Sequence, residues 1–324
     1  MILAGDVGGT KVLLALVERA GGGLRVVAER RYESGRHDGF SPIMRDFLDR
    51  EGERPASAAF GVAGPVVGGR AELTNLGWTL DVDTLATELG ARVELLNDLV
   101  ATAHGLSDLA DRQVVVLHDG RPTGPTEALV AAGTGLGMAI MTEIGGRRVV
   151  LPSEGGHMSF APRDAEEQAL LAWLRDKHGN VSVERVVSGL GIEAIYEFLR
   201  ESGRVVASPA LARRIEAASD QAVAISAAAL EGGAPICEAT MARFVAAYGA
   251  VAGDMALVAH ALGGVWIGGG IAPDILPLLE TGAFLKAFRA KGRLRDLLES
   301  VPVKVVLEER VALLGAARYA ADRL

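Results

Sequence analysis

Carboxylates set beside glycine-rich turns recur along this chain, a pairing suited to handling phosphates and hydroxyls. The first is Gly5-Asp6-Val7-Gly8-Gly9-Thr10-Lys11. Adjacent glycines let backbone N–H groups approach an anion with no Cβ in the way. Asp6 stands where it could hold Mg²⁺ against phosphates, directly or through water. The turn is not a Walker A loop, because Thr10 occupies the place of that pattern's second glycine. A plain β-hairpin turn is the competing reading, and this motif alone does not decide between them.

Leu95-Leu96-Asn97-Asp98-Leu99-Val100-Ala101 ends an apolar strand on a polar pair and starts a helix, where open α/β sheets hold ligands. Taken alone, Asp98 reads first as a helix N-cap and Asn97 as a turn residue. Inside a cleft, a carboxylate so placed also suits accepting a hydroxyl proton during phosphoryl transfer. A second glycine turn, Gly133-Thr134-Gly135-Leu136-Gly137, leads into a strand, so it is not the dinucleotide pattern. Its Thr134 hydroxyl and nearby amides could cradle terminal phosphates.

Ser153-Glu154-Gly155-Gly156-His157-Met158 makes a polar hook in which Glu154 and His157 offer an acceptor and a donor to vicinal hydroxyls. Zinc is disfavoured: a structural site takes about four ligands, and no cysteine cluster or H-E-x-x-H accompanies these two. A loop with one satisfied histidine is the competing reading. Further on, an apolar strand ends in Gly268, Gly269 and Gly270 before Pro273 opens a helix. That suits backbone passing beside a flat adenine or ribose, although close strand–helix packing asks for the same glycines.

These motifs need a scaffold, and the composition allows a large one. The chain has 324 residues, 49% hydrophobic and 23% charged, an ordinary globular profile with length for two domains. A formal charge of −8 lacks the basic stripe of a nucleic-acid binder. It leaves room for a nucleotide held by a metal ion and backbone N–H groups. The single cysteine, Cys237, excludes an intramolecular disulfide and a multi-cysteine zinc site. The run at 1–4 reaches Asp6 too soon for a signal h-region, so a cytoplasmic protein is expected. The stretch 255–273 carries no formal charge apart from His260 if protonated, and reads as a buried helix entering a buried strand rather than a membrane span.

Periodicity and turn residues predict strands at 2–5, 11–18 and 24–32, a helix near 40–50 and a strand at 57–62. A helix near 82–89 with Asp81 as N-cap, a strand at 93–96 and a helix at 99–107 follow. A similar order then restarts, with strands at 113–117, 128–132, 136–142 and 147–151 and a mostly helical block over 164–262. A strand at 264–267, a helix near 274–290, a strand at 303–307 and a final helix at 312–323 complete the chain. In both halves a strand runs into a Gly/Thr turn and returns, so two α/β halves with a cleft between them are expected.

In this order the motifs resemble the bacterial glucokinase family, within the sugar kinase, Hsp70 and actin superfamily. The resemblance spans nearly the whole chain and rests on DVGGTK (6–11), GVAGPV (61–66), LNDLVA (96–101), GTGLG (133–137), EGGH (154–157), ERVVSG (184–189) and GGVWIGGGIAP (263–273). It implies an α/β, two-domain actin/hexokinase-like (ribonuclease H-like) fold with a central cleft. The small domain would be 1–110, completed by a C-terminal helix at 312–324, and the large domain 111–311. It also implies ATP-dependent phosphorylation of glucose at its 6-hydroxyl, with Mg²⁺ and without zinc, by a cytoplasmic homodimer with no nucleic-acid or membrane partner.

Position by position, the resemblance makes Asp98 the catalytic base. Asn97, Glu154, His157 and Glu184 become glucose contacts, and Gly64 and Pro65 line the same pocket. Asp6, Gly8, Gly9 and Thr10, with Lys11, become the phosphate and Mg²⁺ loop. Thr134 and Gly135 become the second phosphate loop, and Gly268, Gly269 and Gly270 the adenosine loop. Glu184 enters through the resemblance alone; by pattern it reads as a solvent-facing helix residue. The chain lacks the cysteines through which a neighbouring family of sugar kinases and sugar-responsive repressors binds zinc, and it starts at its first strand with no helix-turn-helix ahead.

Three rival readings differ in class or detail. A sugar-sensing regulator needs no Mg²⁺ loop, and an actin-like or chaperone-like ATPase has no reason to hold a hydroxyl-reading set. A kinase for mannose or an N-acetylhexosamine, or one using ADP or polyphosphate, is left open by the sequence.

Overall fold

Continuous apolar runs closed by glycine or polar turns become buried strands in the computed structural model, which describes residues 1–21 and 23–323. The chain divides into two units. One comprises Met1–Asp111, Val150–Pro152 and Glu308–Leu324, and the other Arg112–Val149 and Ser153–Leu307. Residue 324, the last of the helix expected at 312–324, lies outside the described residues.

The first unit holds β1 (Ile2–Val7), β2 (Lys11–Ala20), β3 (Gly23–Glu33), β4 (Ser57–Val62), β5 (Val66–Val67), β6 (Arg70–Leu73), β7 (Trp78–Asp81) and β8 (Arg92–Asn97). Its helices are α1 (Phe40–Glu51), α2 (Val82–Leu89) and α3 (Asp98–Gly105). The main sheet is ordered β3-β2-β1-β4-β8. Strands β1, β4 and β8 are parallel, with Asp6 beside Gly61 and Val62 beside Asn97. Every residue of β4 is buried, as in a parallel strand covered on both faces. Asp81 caps α2 as expected, its carboxylate accepting the Thr84 N–H at 3.0 Å.

Strands β5, β6 and β7 form a separate antiparallel sheet that periodicity does not reveal. Strands of two and four residues are too short for an alternating pattern to stand out from a loop.

The second sheet comprises β9 (Val114–His118), β10 (Glu127–Ala132), β11 (Leu136–Ile144), β12 (Arg147–Ser153), β13 (Gly264–Gly268) and β14 (Val303–Val306), ordered β12-β11-β10-β13-β14-β9, and all of it but Val150–Pro152 of β12 belongs to the second unit. Strand β13 is parallel to both β10 and β14. The helical block is α4 (Ala165–His178), α5 (Gly189–Glu201), α6 (Pro209–Glu216), α7 (Gln221–Glu231) and α8 (Pro235–Val258). Helix α8 is long and apolar enough to cross a membrane, but 67% of its apolar window is buried within the protein, so it is a core helix.

The single helix expected near 274–290 is instead α9 (Ile271–Asp274), α10 (Leu276–Leu279) and α11 (Ala283–Phe288). Pro277 has no N–H to continue a helix, and Gly282 sits at φ +87°, in the left-handed region. Helix α12 (Arg295–Glu299) precedes β14, and α13 (Val311–Arg323) ends the chain.

Each unit has its own core. In the first, the alanine-rich face of α13 packs with Ile2, Ala4, Ala15 and Ala59. Small residues bring α13 onto α3 so closely that a Cβ on Gly315 would lie 1.7 Å from the Ala101 carbonyl oxygen. Gly315→Ala is therefore expected to lower the unfolding free energy by about 1–3 kcal/mol, the usual cost of overpacking. A urea titration checks this, and an unchanged midpoint would mean that the helix pair yields without cost.

Candidate active site

The turn between β1 and β2 is closed by Gly8 N–H donating to the Lys11 carbonyl at 2.9 Å. Buried Ser34 clamps it from behind: its Oγ donates to the Gly8 carbonyl at 2.8 Å and its N–H to the Thr10 carbonyl at 3.0 Å. No sequence pattern marks Ser34, which lies two whole strands further along the chain. Gly9 is exposed, lies outside the left-handed region, and a Cβ there would meet nothing within 4 Å. The hairpin itself thus gives no reason for glycine at Gly9, while an anion drawn onto the turn does. Burial pushes the half-buried Asp6 carboxyl above the usual range, with the Lys11 ammonium pulling the other way.

At the end of β8, the helix cap is Asn97 rather than Asp98. Asn97 keeps an extended backbone, and its Oδ1 accepts the Leu99 and Val100 N–H groups at 3.0 and 3.3 Å. Its Nδ2 donates to the Gly64 carbonyl at 3.1 Å, tying two of the expected sugar-pocket residues together. Half-buried Asp98 is the first helical residue, where a carboxylate is favoured by the positive end of α3. Its Oδ1 accepts the Leu99 N–H at 2.9 Å.

Because β1, β4 and β8 are parallel, the Asp6 turn, residues 61–65, Asn97 and Asp98 leave the sheet at one carboxyl edge. A cavity of about 690 Å³ in this unit is lined by Gly9, Gly64 and Pro65, with Arg70, Glu72, Thr74 and Asn75 from β6 and its following turn. Sequence reasoning missed those last four, since the small sheet that carries them was itself illegible.

In the second unit, the turn after β10 is held by Gly133 N–H donating to the Gly135 carbonyl at 2.9 Å and by Gly189 N–H donating to the Gly133 carbonyl at 2.8 Å. Glu184 is not a solvent-facing helix residue. It is half-buried in the short 3-10 turn Val183–Arg185, and its Oε2 accepts the Leu136 N–H at 2.9 Å. A Cβ on Gly135 would lie 2.5 Å from that oxygen.

Exposed Glu154 precedes the 3-10 turn Gly155–His157, which exposed His157 ends. That hook is stitched to the Glu184 segment by Val183 N–H donating to the Met158 carbonyl at 2.8 Å and Phe160 N–H to the Val181 carbonyl at 2.9 Å. Two stretches distant in sequence are thereby held side by side.

Residues 268–270 leave β13 at the same end as the Thr134 turn leaves β10, since Ala131 pairs with Gly268. A cavity of about 390 Å³ beside them is lined by Gly133, Thr134 and Gly270, and also by Leu190 and Glu193 of α5 and Asp220 and Val223 at the start of α7. These helix residues escaped notice because a helix face turned to a cavity looks like one turned to a core. Burial raises the Glu193 carboxyl, and the Asp220 charge adds to the effect.

The chain matches the Glucokinase family model over residues 3–323. It is 43% identical over 337 residues to the glucokinase of Nostoc punctiforme, covering 99% of each chain. A solved glucokinase from an Antarctic psychrotroph superimposes with a TM-score of 0.87 at 32% identity, over 99% of this chain and 98% of that one. A glucokinase from Balamuthia mandrillaris, solved in complex with glucose, shares the fold at a TM-score of 0.81 and 22% identity, over 99% of this chain and 93% of that one. The fold is thus the two-domain α/β architecture of the actin, hexokinase and Hsp70 superfamily. With a match along nearly its whole length, this chain belongs to the glucokinase family.

Proposed function

We propose that this enzyme moves the γ-phosphoryl group of ATP onto the 6-hydroxyl of glucose, giving glucose 6-phosphate and ADP. One observation carries the reading furthest. The Glu184 carboxylate, on the segment stitched to the Glu154 and His157 hook, also accepts the amide that follows the second glycine turn. Hydroxyl reading and phosphate reading thus meet on one side chain.

Asn97, Glu154, His157 and Glu184 hydrogen-bond the sugar hydroxyls, and Gly64 and Pro65 line the sugar pocket. The Asp98 carboxylate takes the proton from the 6-hydroxyl as that oxygen forms its bond to the γ-phosphorus. The bond from phosphorus to the β–γ bridging oxygen breaks, and ADP departs. Backbone amides at Gly9 and Gly135, with the Thr10 and Thr134 hydroxyls and Lys11, hold the phosphates on the turn that the Gly8 N–H closes, and residues 268–270 run beside the adenosine. Positioning of this kind supplies most of the rate, because the transition state is loose.

Asp6 fits a magnesium ion, directly or through water. It is a half-buried carboxylate whose charge burial disfavours, a setting that a cation relieves. Among the described residues no three His, Cys, Asp or Glu side chains gather to hold a metal. Mg²⁺ needs no such cage, since one or two carboxylates and the substrate phosphates suffice. When bound, Mg²⁺ neutralises phosphate charge during transfer.

The direct test is ADP release with MgATP, with and without glucose, mannose and N-acetylhexosamines. Glucose-dependent release yielding glucose 6-phosphate establishes the reading, and release that ignores every sugar leaves a bare ATPase. Asp98→Ala is expected to lower kcat by about 10²–10⁴-fold, the usual worth of a general base, and near-normal turnover would remove Asp98 from that role. Glu184→Ala should raise the KM for glucose by about ten- to hundredfold and that for ATP severalfold, whereas Glu154→Ala should affect glucose alone. Equal effects of the two on ATP would separate Glu184 from the phosphate turn. Because the folded-state pKa of Asp6 is raised, it takes up a proton at higher pH than an exposed carboxylate does. MgATP affinity should therefore weaken early as pH falls, and a binding titration should show that acid limb lost in Asp6→Asn.

A further inference from the structure

The turn at 133–135 and the loop at 268–270 leave neighbouring parallel strands, and a single buried side chain reaches the place where those strands part. Tyr248 of α8 is fully buried. Its hydroxyl accepts the Ala132 N–H at 3.3 Å and faces the carbonyl oxygens of Val130 and Gly268, each at 3.1 Å. One hydroxyl proton serves both carbonyls, so the donor is shared between β10 and β13. Ala131 pairs with Gly268 at the loop end of their ladder, and both loops begin just beyond it. Burial pushes the hydroxyl far above its usual range, so it stays a neutral donor.

Helix α8 is itself fixed in depth. A Cβ on Gly249 would lie 2.2 Å from the Phe284 carbonyl oxygen, and one on Gly253 would lie 2.3 Å from that of Phe288, so α8 lies directly on α11. The rings of Phe244 and Phe284 flank Tyr248 at centroid distances of 5.9 and 5.6 Å. On the loop side the two backbones touch: a Cβ on Gly269, at φ +82°, would stand 2.1 Å from the Ala132 carbonyl oxygen. The phenol oxygen is thus held on a rigid helix and bonded to both strands. Phenylalanine would fill the same volume, but it would remove that partner from one amide and two carbonyls in a dry core.

We infer that Tyr248 is a positioning residue for the nucleotide, its hydroxyl bridging β10 and β13 where they part and setting the separation of the 133–135 and 268–270 loops. It touches no substrate and acts through those loops, so the inference rests on reading them as the phosphate and adenosine loops.

Tyr248→Phe deletes the bridge and keeps the ring. Dissociation constants for MgATP and ADP, KM for both substrates and melting temperature are compared with those of Phe284→Leu, which loosens the same core but keeps the Tyr248 hydroxyl. Tyr248→Phe is expected to weaken nucleotide binding about five- to tenfold, the size of one buried hydrogen bond, with the glucose KM unchanged. Phe284→Leu should lower the melting temperature and leave ATP binding intact. Gly269→Ala forces the loops apart from the other side and should also weaken ATP selectively, which keeps the test decisive if Tyr248→Phe yields no folded protein. ATP binding by Tyr248→Phe at the wild-type level, or a loss shared with glucose and matched by Phe284→Leu, overturns the inference. Wild-type protein that binds no ATP at all overturns the nucleotide reading beneath it.

Discussion

Parallel strand pairing is the constraint on which the chemistry of this molecule depends. Parallel strands end together, so the loops that leave them gather at one edge regardless of how far apart they lie in sequence. In the first unit, pairing of Asp6 with Gly61 and of Val62 with Asn97 brings a glycine turn, residues 61–65 and the Asn97–Asp98 step to one side. In the second, pairing of β10 with β13 does the same for the Thr134 turn and residues 268–270. The pairing in turn requires strands with apolar residues on both faces and helices to cover them, which β4 and β13 show as unbroken burial.

Glycines fall into two groups that look alike on paper. Gly135, Gly269 and Gly315 are demanded by the fold, because a Cβ would strike a carboxylate or a carbonyl oxygen. Gly9, Gly133 and Gly270 are not: their backbones lie outside the left-handed region and a Cβ would meet nothing within 4 Å. Open glycines of this kind leave room for a ligand to come close to the backbone. All three belong to the turns and loops read as holding the nucleotide.

Charge is handled locally. The chain carries a formal charge of −8, yet its proposed substrate is polyanionic. In the proposed site, backbone N–H groups at turns, one lysine and a carboxylate suited to a cation would meet that demand locally. The cost appears at Asp6, whose ionisation burial opposes. Each clamp behind these loops, Ser34 in the first unit and Tyr248 in the second, is a buried hydroxyl bonded to backbone carbonyls, which holds the loops without adding charge.

What the sequence by itself determined is what is written within a few neighbouring residues. The buried strands, the Asp81 cap, the glycine turns and the order of motifs that marks the family are of this kind, because periodicity and turn chemistry act over short range. Tertiary structure alone decided the rest. Only there does Asn97 rather than Asp98 take the cap, and do Pro277 and Gly282 break one helix into short pieces. Only packing brings Glu184 onto the Leu136 amide, Ser34 behind Gly8, and Tyr248 onto the Ala132 amide, across separations of 48, 26 and 116 residues. The physical reason is that such contacts have no local signature. A carboxylate or hydroxyl reads the same in the chain whether it meets water or a buried amide, and only the closing of the core settles which.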